Sequence, residues 1–214
     1  MANEDAMIKL RIDVDYPYPS RRTKSFLYIA LGIKKGKGYD YLENARTIAK
    51  MINESPKEVM AYWFFTPYTI PDKKMLDLLT PDRHEVALHV AVNPYREWKI
   101  LENETNRRVK YYTIHGTSRL LAQLLWGRKI GQKKAKIPND FPLESFTDKF
   151  PNYIIDYDIY AYGLEVAKQR AEKWLKEHEN GALAFHPEWL FKSNERSRRG
   201  RYYELLKALL EVQK

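Results

Sequence analysis

Apolar and polar residues alternate near the start of the chain, in the stretch Ile8-Lys9-Leu10-Arg11-Ile12-Asp13-Val14-Asp15. A period of two residues is typical of a β-strand with one apolar face. Pro17 and Pro19 end this strand, because proline cannot donate a hydrogen bond to a sheet. Further apolar runs of similar length predict more strands. The six predicted strands cover residues 8–15, 58–65, 84–90, 109–114, 152–156 and 182–185, and a seventh is expected within 25–33.

Helices are predicted between the strands, from apolar residues spaced three and four positions apart. A capping box of Asp40 and Glu43 begins the first helix, and Ser118 caps another. Asn180-Gly181 ends a long helix. The stretch 127–151 has no clear period, and we expect it to be a lid or an insertion on the domain.

The alternation of strands with helices predicts a parallel sheet with helices outside it. A length of 214 residues suggests a single domain over the whole chain, 1–214. We therefore expect an α/β fold, a distorted (β/α) barrel of about seven parallel strands.

Three of the five histidines, His89, His115 and His186, lie at or just after the carboxyl end of a predicted strand. Asp13 and Asp15 lie at the carboxyl end of the first strand. In parallel α/β folds ligands bind at these strand ends. The five side chains therefore predict one functional site, although any one histidine taken alone is more often structural.

Asp13 and Asp15 are two residues apart, so both side chains share one face of the strand. Two carboxylates this close repel each other unless a cation lies between them or one takes a proton. Together with the histidines, the pair favours a divalent metal, with one Asp as a ligand and the other as a base. The alternative is that the carboxylates cap a helix or pair with an arginine.

Composition narrows the chemistry further. The chain has no cysteine, which excludes disulfides, thiolate metal sites and a cysteine nucleophile. The net charge is +9, from 37 Lys and Arg against 28 Asp and Glu, so we expect an affinity for anions. The first residues have no signal-peptide pattern and no apolar run spans a bilayer, which favours a cytoplasmic protein.

Several known motifs are absent. His84 and His89 are five residues apart on a predicted strand, whereas the zinc protease motif needs a spacing of four on a helix. Their rings should face opposite sides of the strand, which makes His84 peripheral. The chain also has no Gly-rich phosphate loop and no Gly-x-Ser-x-Gly nucleophile elbow.

Four segments, in order, resemble the NodB-type polysaccharide deacetylases. They are Arg11-Ile12-Asp13-Val14-Asp15, Phe64-Phe65, His84-Glu85-Val86-Ala87-Leu88-His89 and Leu183-Ala184-Phe185-His186-Pro187. The likeness spans about residues 8–190. It implies a distorted (β/α) barrel that removes N- or O-acetyl groups from carbohydrates with a divalent metal. By position, Asp13 resembles the catalytic base, Asp15 and His89 resemble metal ligands, and His186 resembles the histidine that protonates the leaving group.

The family's second metal histidine falls on Asn93, a poor zinc ligand. We expect His115, at the neighbouring strand end, to supply the missing nitrogen, for a zinc ion first or for cobalt, nickel or manganese. Asn93 is then placed among the substrate-binding residues. Trp189 follows His186 closely, and Arg198 and Arg199 come from a basic loop that can fold over the site. The alternative for that loop is a solvated surface segment.

The leading expectation is a metal-dependent hydrolase that cleaves an amide or ester of a sugar or a related small molecule. A soluble precursor or a lipid-linked sugar at a membrane face fits the basic clusters, so peripheral membrane contact is an open alternative. Two rivals are a catalytically inactive barrel that binds an anionic glycan or nucleotide sugar, and a nucleic-acid binder. The second rival is disfavoured because no recognised reading motif is present. The oligomeric state stays undetermined.

Overall fold

The strands of the protein are two to seven residues long. The computed structural model describes residues 7–15, 42–116, 120–125, 128–187 and 201–212. The strands are β1 (Ile8–Val14), β2 (Val59–Phe65), β3 (His84–Val90), β4 (Tyr111–Ile114), β5 (Glu144–Ser145), β6 (Asn152–Ile154) and β7 (Ala182–Phe185).

All of these strands pair in parallel in one seven-stranded sheet, in the order β5-β4-β3-β2-β1-β7-β6. The order is cyclic, because β1 lies between β2 and the last strand, β7. A cyclic order of parallel strands is the arrangement of a (β/α) barrel, whereas doubly wound sheets reverse direction. Among the described residues β5 and β6 do not pair, so the sheet is a curled half-barrel open between them. The predicted distorted barrel of about seven parallel strands is confirmed.

Helices connect successive strands. Among the described residues no helix is both long and apolar enough to cross a membrane. The helices are α1 (Glu43–Glu54), α2 (Lys73–Leu76), α3 (Pro94–Thr105), α4 (Leu120–Leu125), α5 (Phe146–Lys149), α6 (Ile155–Ala161), α7 (Leu164–Glu177) and α8 (Arg201–Leu210).

The two faces of the sheet carry different side chains, because successive residues of a strand point to opposite sides. Leu10, Ile12 and Trp63 are inaccessible to solvent and pack with the helices in one large cluster. Burying each such side chain contributes about 1.5–3 kcal/mol. The inner face has a separate aromatic cluster that includes Tyr62 and Phe64. Asp13 pairs in register with Phe64, which places the acidic residues of β1 on this inner face.

Three details differ from the sequence-based prediction. The strand predicted over 152–156 ends at Ile154, because α6 begins at Ile155. The seventh strand is β5, which lies inside the stretch predicted as a lid or insertion. The alternative position at 25–33 lies outside the described residues, as do Asp40 and Ser118. Buried Phe141, Leu143, Phe146 and Phe150 make the second half of the 127–151 stretch part of the core.

Candidate metal centre

Asp13 and Asp15 lie side by side at the carboxyl end of β1. The apolar residues between and before them, Val14 and Ile12, are buried against the helices, so both carboxylates must point to the inner face. Asp13 is 4% exposed and Asp15 is 5% exposed. The prediction that the two side chains share one face is confirmed, and both stand where the ends of neighbouring strands converge.

His89 and His115 meet Asp15 from the adjacent strands. His89 Nε2 lies 3.0 Å from Asp15 Oδ1, and His115 Nε2 lies 3.4 Å from Asp15 Oδ2. Both rings are 3% exposed, and their centroids are 5.1 Å apart. His115 directly follows β4. Its main-chain N–H donates a hydrogen bond to the carbonyl oxygen of Val90 on β3, so the pairing of the two strands extends to His115. The predicted ligand set of Asp15, His89 and His115 therefore comes together in one buried place.

The spacing of these three side chains suits a divalent metal ion. One ligand atom from each can be chosen so that all lie within 4.8 Å of one another. Ligand atoms about 2.1 Å from a tetrahedral metal lie about 3.4 Å apart, close to the distances around Asp15. Asp15 Oδ1 is buried and accepts no hydrogen bond of acceptable geometry from the described residues. Such an atom is well placed to bind a cation, so the cluster could hold a metal, whose identity the geometry leaves open.

Thr113 orients the ring of His89. The Oγ1 atom of Thr113, on β4, lies 2.6 Å from His89 Nδ1. If Nδ1 carries the proton and donates it to this hydroxyl, Nε2 keeps its lone pair, 3.0 Å from Asp15 Oδ1. Hydrogen bonds of this kind fix the tautomer of metal-binding histidines.

Asp13 has a different partner, Arg11, two residues earlier on the same strand. Arg11 donates from Nε to Asp13 Oδ1 at 3.0 Å and from Nη2 to Oδ2 at 2.6 Å. Burial raises the pKa of Asp13, but Arg11 and the nearby His89 and His186 outweigh it and hold that pKa below its usual range. Pairing with an arginine, the alternative considered for the acidic pair, thus applies to Asp13 and leaves Asp15 for a metal.

His186 faces the cluster from the end of β7. Its Nε2 lies 3.5 Å from Asp15 Oδ2 and 4.0 Å from Asp13 Oδ2. On its other side, Nδ1 lies 2.5 Å from Asp156 Oδ2, at the start of α6. Asp13, Asp15 and His186 form a second group with ligand atoms within 4.8 Å. The contact with Asp156 holds the imidazole of His186 with Nε2 toward the carboxylates of Asp13 and Asp15.

The electrostatic environment favours a charged Asp15 beside a neutral His115. Burial raises the pKa of Asp15, but His115 and His186 outweigh it and hold that pKa well below its usual range. Burial also lowers the pKa of His115, and the attraction of Asp15 offsets this only in part. A carboxylate and a neutral imidazole are the forms that bind metal ions.

The loops after β3 and β4 are fixed by buried charged side chains. Glu97, in the first turn of α3, accepts hydrogen bonds from the three successive N–H groups of residues 91–93, at 2.6–2.9 Å. Arg128 donates to the carbonyl oxygens of Ala91 and His115, both at 2.7 Å. These bonds join the two strand ends that carry His89 and His115, so they position the candidate ligands.

The other predicted residues fall outside the cluster. His84 lies on the helix side of the sheet, between Trp63 and Asn53, so its predicted peripheral position is confirmed. Asn93 is exposed and caps α3 by accepting a hydrogen bond from Arg96 N at 3.1 Å; a role in substrate binding stays a prediction. The remaining predicted substrate-binding residues, Trp189, Arg198 and Arg199, lie outside the described residues.

Five supporting residues were missed by the sequence-based prediction. Asp156 and Thr113 could have been predicted from the sequence. Asp156 is the last residue of a predicted strand, and Thr113 lies two positions before His115 on another. Arg11 shares the face of Asp13 by the same spacing of two. The contacts of Glu97 and Arg128 with distant backbone atoms leave no local pattern. The missed residues are Arg11, Glu97, Thr113, Arg128 and Asp156.

Comparison with protein-family models, with curated proteins and with solved structures finds no match. A functional proposal for this protein is therefore based on the chemistry of the described cluster and on the resemblance of the four sequence segments.

Proposed function

We propose that this protein is a metal-dependent hydrolase of the polysaccharide deacetylase type, which removes an acyl group from a sugar or a related small molecule. The observation that carries the proposal is the convergence of two buried carboxylates and three imidazoles. His89 and His115 both lie against the carboxylate of Asp15, and His186 lies within 4.0 Å of Asp13 and Asp15.

The cluster contains candidate metal ligands and, beside them, candidate groups for proton transfer. Asp15, His89 and His115 would hold a divalent ion, zinc before cobalt, nickel or manganese. A bound ion would supply Lewis acidity, which polarises an acyl carbonyl and makes water easier to deprotonate. These residues would therefore orient the ester or amide, and the reaction would also need a base and an acid.

Asp13 is suited to accept the proton of the attacking water. Its depressed pKa keeps it ionised at neutral pH, and each of its oxygens can accept a further hydrogen bond besides the one from Arg11. Oδ2 faces the imidazoles of His89 and His186, at 4.0 Å from both Nε2 atoms. The bidentate contact with Arg11 also fixes the carboxylate orientation, which a general base requires.

His186 is suited to protonate the leaving group. Asp156 accepts a hydrogen bond from the N–H group at Nδ1, which leaves Nε2 as the atom that would exchange a proton with substrate. A histidine oriented by a carboxylate is a common acid in acyl transfer, because the carboxylate stabilises the imidazolium. Transfer of a proton from His186 Nε2 to the departing amine or alcohol would complete the cleavage.

Metal retention is the first test. Protein reconstituted with zinc, cobalt, nickel or manganese and then desalted should retain about one ion per chain by elemental analysis. Asp15→Ala and His89→Ala should abolish retention, whereas the matched control His178→Gln, a histidine outside the cluster, should keep it. If the wild type retains none of these ions, the proposed chemistry is wrong.

Turnover is the second test. The loaded protein is incubated with di-N-acetylchitobiose and with UDP-N-acetylglucosamine, and released acetate and new amine are measured. Asp13→Asn should keep the metal and lose turnover, because an amide cannot accept the proton of water. Equal metal loss in Asp13→Asn and Asp15→Asn would contradict the division of roles.

A second candidate is an inactive barrel that binds an anionic glycan or nucleotide sugar. The strong pairing of Arg11 with Asp13 favours it, since a guanidinium on both oxygens weakens a carboxylate as a base. This candidate requires that UDP-N-acetylglucosamine binds in calorimetry while no acetate appears with any of the four metals.

A further inference from the structure

The positive charge of the protein is concentrated in one segment, residues 105–139. This segment contains nine of the 37 Lys and Arg residues and none of the 28 Asp and Glu residues, which leaves 28 basic and 28 acidic residues elsewhere. The whole net charge of +9 therefore resides in about a sixth of the chain. Three of the nine, Arg107, Arg108 and Lys110, precede β4 at its amino end. Lys129, Lys133, Lys134 and Lys136 follow its carboxyl end, and on that side they attract an anionic partner.

Exposed apolar side chains accompany these charges. Leu120 and Leu124, one turn apart on α4, are 53% and 49% exposed, and Ile130 is 74% exposed. Gln123 joins α4 to the turn that carries Ile130, because its Oε1 accepts a hydrogen bond from Gly131 N at 3.0 Å. This bond places the turn that carries Ile130 next to α4, and the three exposed apolar side chains with the lysines of the turn are here called the basic apolar patch. Its exposed lysines are Lys129, Lys133, Lys134 and Lys136.

The basic apolar patch borders the strand-end cluster. Arg128 donates hydrogen bonds to the carbonyl oxygens of His115 and Lys133, both at 2.7 Å, which fixes the lysine-rich loop to the end of β4. Next to His115, a methyl group added at Gly116 would lie 3.8 Å from Lys134 Cε. The patch and the candidate metal centre therefore open on the same rim of the half-barrel.

We propose that the basic apolar patch docks on the surface of an anionic lipid bilayer. Aliphatic side chains between lysines are the combination that binds such surfaces: the apolar groups enter the headgroup region and the ammonium groups meet lipid phosphates. A nucleic acid is the poorer fit, because the described exposed apolar residues of the patch are aliphatic and offer no ring for bases to stack on.

Docking would direct the candidate metal centre toward the lipid headgroups. A substrate with a sugar on a lipid phosphate would then meet the site without leaving the membrane. This consequence rests on the proposed function, whereas docking itself does not, since it requires only the patch.

Sedimentation with vesicles tests the docking without any substrate. The full chain is mixed with vesicles of phosphatidylcholine alone or of an equal mixture with phosphatidylglycerol, and the bound fraction is measured at low and high salt. Binding is expected on the anionic vesicles only and should weaken with salt. The triple variant K129A/K133A/K134A should lower the partition coefficient more than tenfold, since each lysine near an anionic surface contributes about fivefold. L124D/I130D should lower it at least as much.

Matched controls separate the patch from the overall charge. K168A/K173A/K176A removes three lysines from α7, and M7D places an acid on the exposed Met7, which precedes β1 at the opposite end of the strands. Both controls should bind anionic vesicles within about twofold of the wild type. Equal losses in the control and patch triples would overturn the proposal. Two other results would also overturn it. One is a wild-type protein that does not bind vesicles and forms a dimer in sedimentation velocity, which L124D/I130D dissociates. The other is a wild-type protein that binds duplex DNA and not vesicles.

Discussion

Acid should destabilise the protein through a histidine that has no part in the candidate site. His84, at the start of β3, is 2% exposed and connects two other elements. Trp63 Nε1 donates to His84 Nδ1 at 2.9 Å, and Asn53 Oδ1 lies 2.8 Å from His84 Nε2. An indole N–H can only donate, so Nδ1 must be unprotonated and Nε2 must carry the proton. Protonation of Nδ1 would break the bond with Trp63 inside the core.

The pKa of His84 gives the size of the effect. Burial is the main reason that its pKa falls from 6.5 to about 4; Arg83 and Arg107 lower it further, and Asp82 opposes them. A histidine with a lowered pKa stabilises the fold fully above the unfolded value, and this stabilisation is lost as pH falls from 6.5 toward about 4. Between about pH 7.5 and pH 4.5, the loss from this one group is about 2.5 kcal/mol.

Urea unfolding of the wild type and of His84→Gln across this pH range measures that loss. The glutamine can accept from Trp63 and donate to Asn53, yet it does not titrate. Other groups titrate in both proteins, so the difference between their two pH profiles isolates His84. The free energy of unfolding of the wild type should fall by about 2–3 kcal/mol more than that of the variant. Parallel profiles would refute the reasoning.

Three further predictions concern single contacts. Asp156→Asn should keep the metal but lower turnover at least tenfold, measured as acetate release, because Nδ1 of His186 loses its charged acceptor. Thr113→Val, which has the same shape, should weaken metal affinity about 10–100-fold in competition with a chelator, because His89 loses its hydrogen bond; unchanged affinity would rule out that role. Gly181→Ala should lower the free energy of unfolding by about 1–3 kcal/mol in urea, because the added methyl would lie 2.8 Å from two side-chain atoms at the end of α7.

The main features of the site could be predicted because a strand has a period of two. Once residues 8–15 were identified as a strand, alternation placed Asp13 and Asp15 on one face. The parallel sheet then brought them to the same rim as His89 and His186. These steps need only the local pattern and the rule that parallel strands end at a common edge.

The choice of partners could not be predicted in the same way. The sequence does not distinguish which of Asp13 and Asp15 pairs with an arginine, because each lies two residues from another polar side chain. The choice depends on the side-chain directions in the folded protein. The short strand β5 could not be predicted because two residues are too few to show a period. Only its pairing with β4 defines it as a strand. Arg128 joins Ala91 to His115 across 24 residues of chain, a contact that depends on the folded loop.

A count of charges explains why the cluster favours a cation. Asp13, Asp15 and Asp156 each contribute one negative formal charge, and Arg11 contributes one positive charge, so the group carries −2 while its imidazoles are neutral. An uncompensated charge of this size is costly in a site as buried as this one. Protons on His89 and His186 would also balance it, whereas the lowered pKa of His115 opposes a proton on that ring. One divalent ion would balance it completely. The buried Oδ1 of Asp15 accepts no hydrogen bond of acceptable geometry from the described residues, and Asp15, His89 and His115 offer ligand atoms within 4.8 Å of one another, close enough to share such an ion.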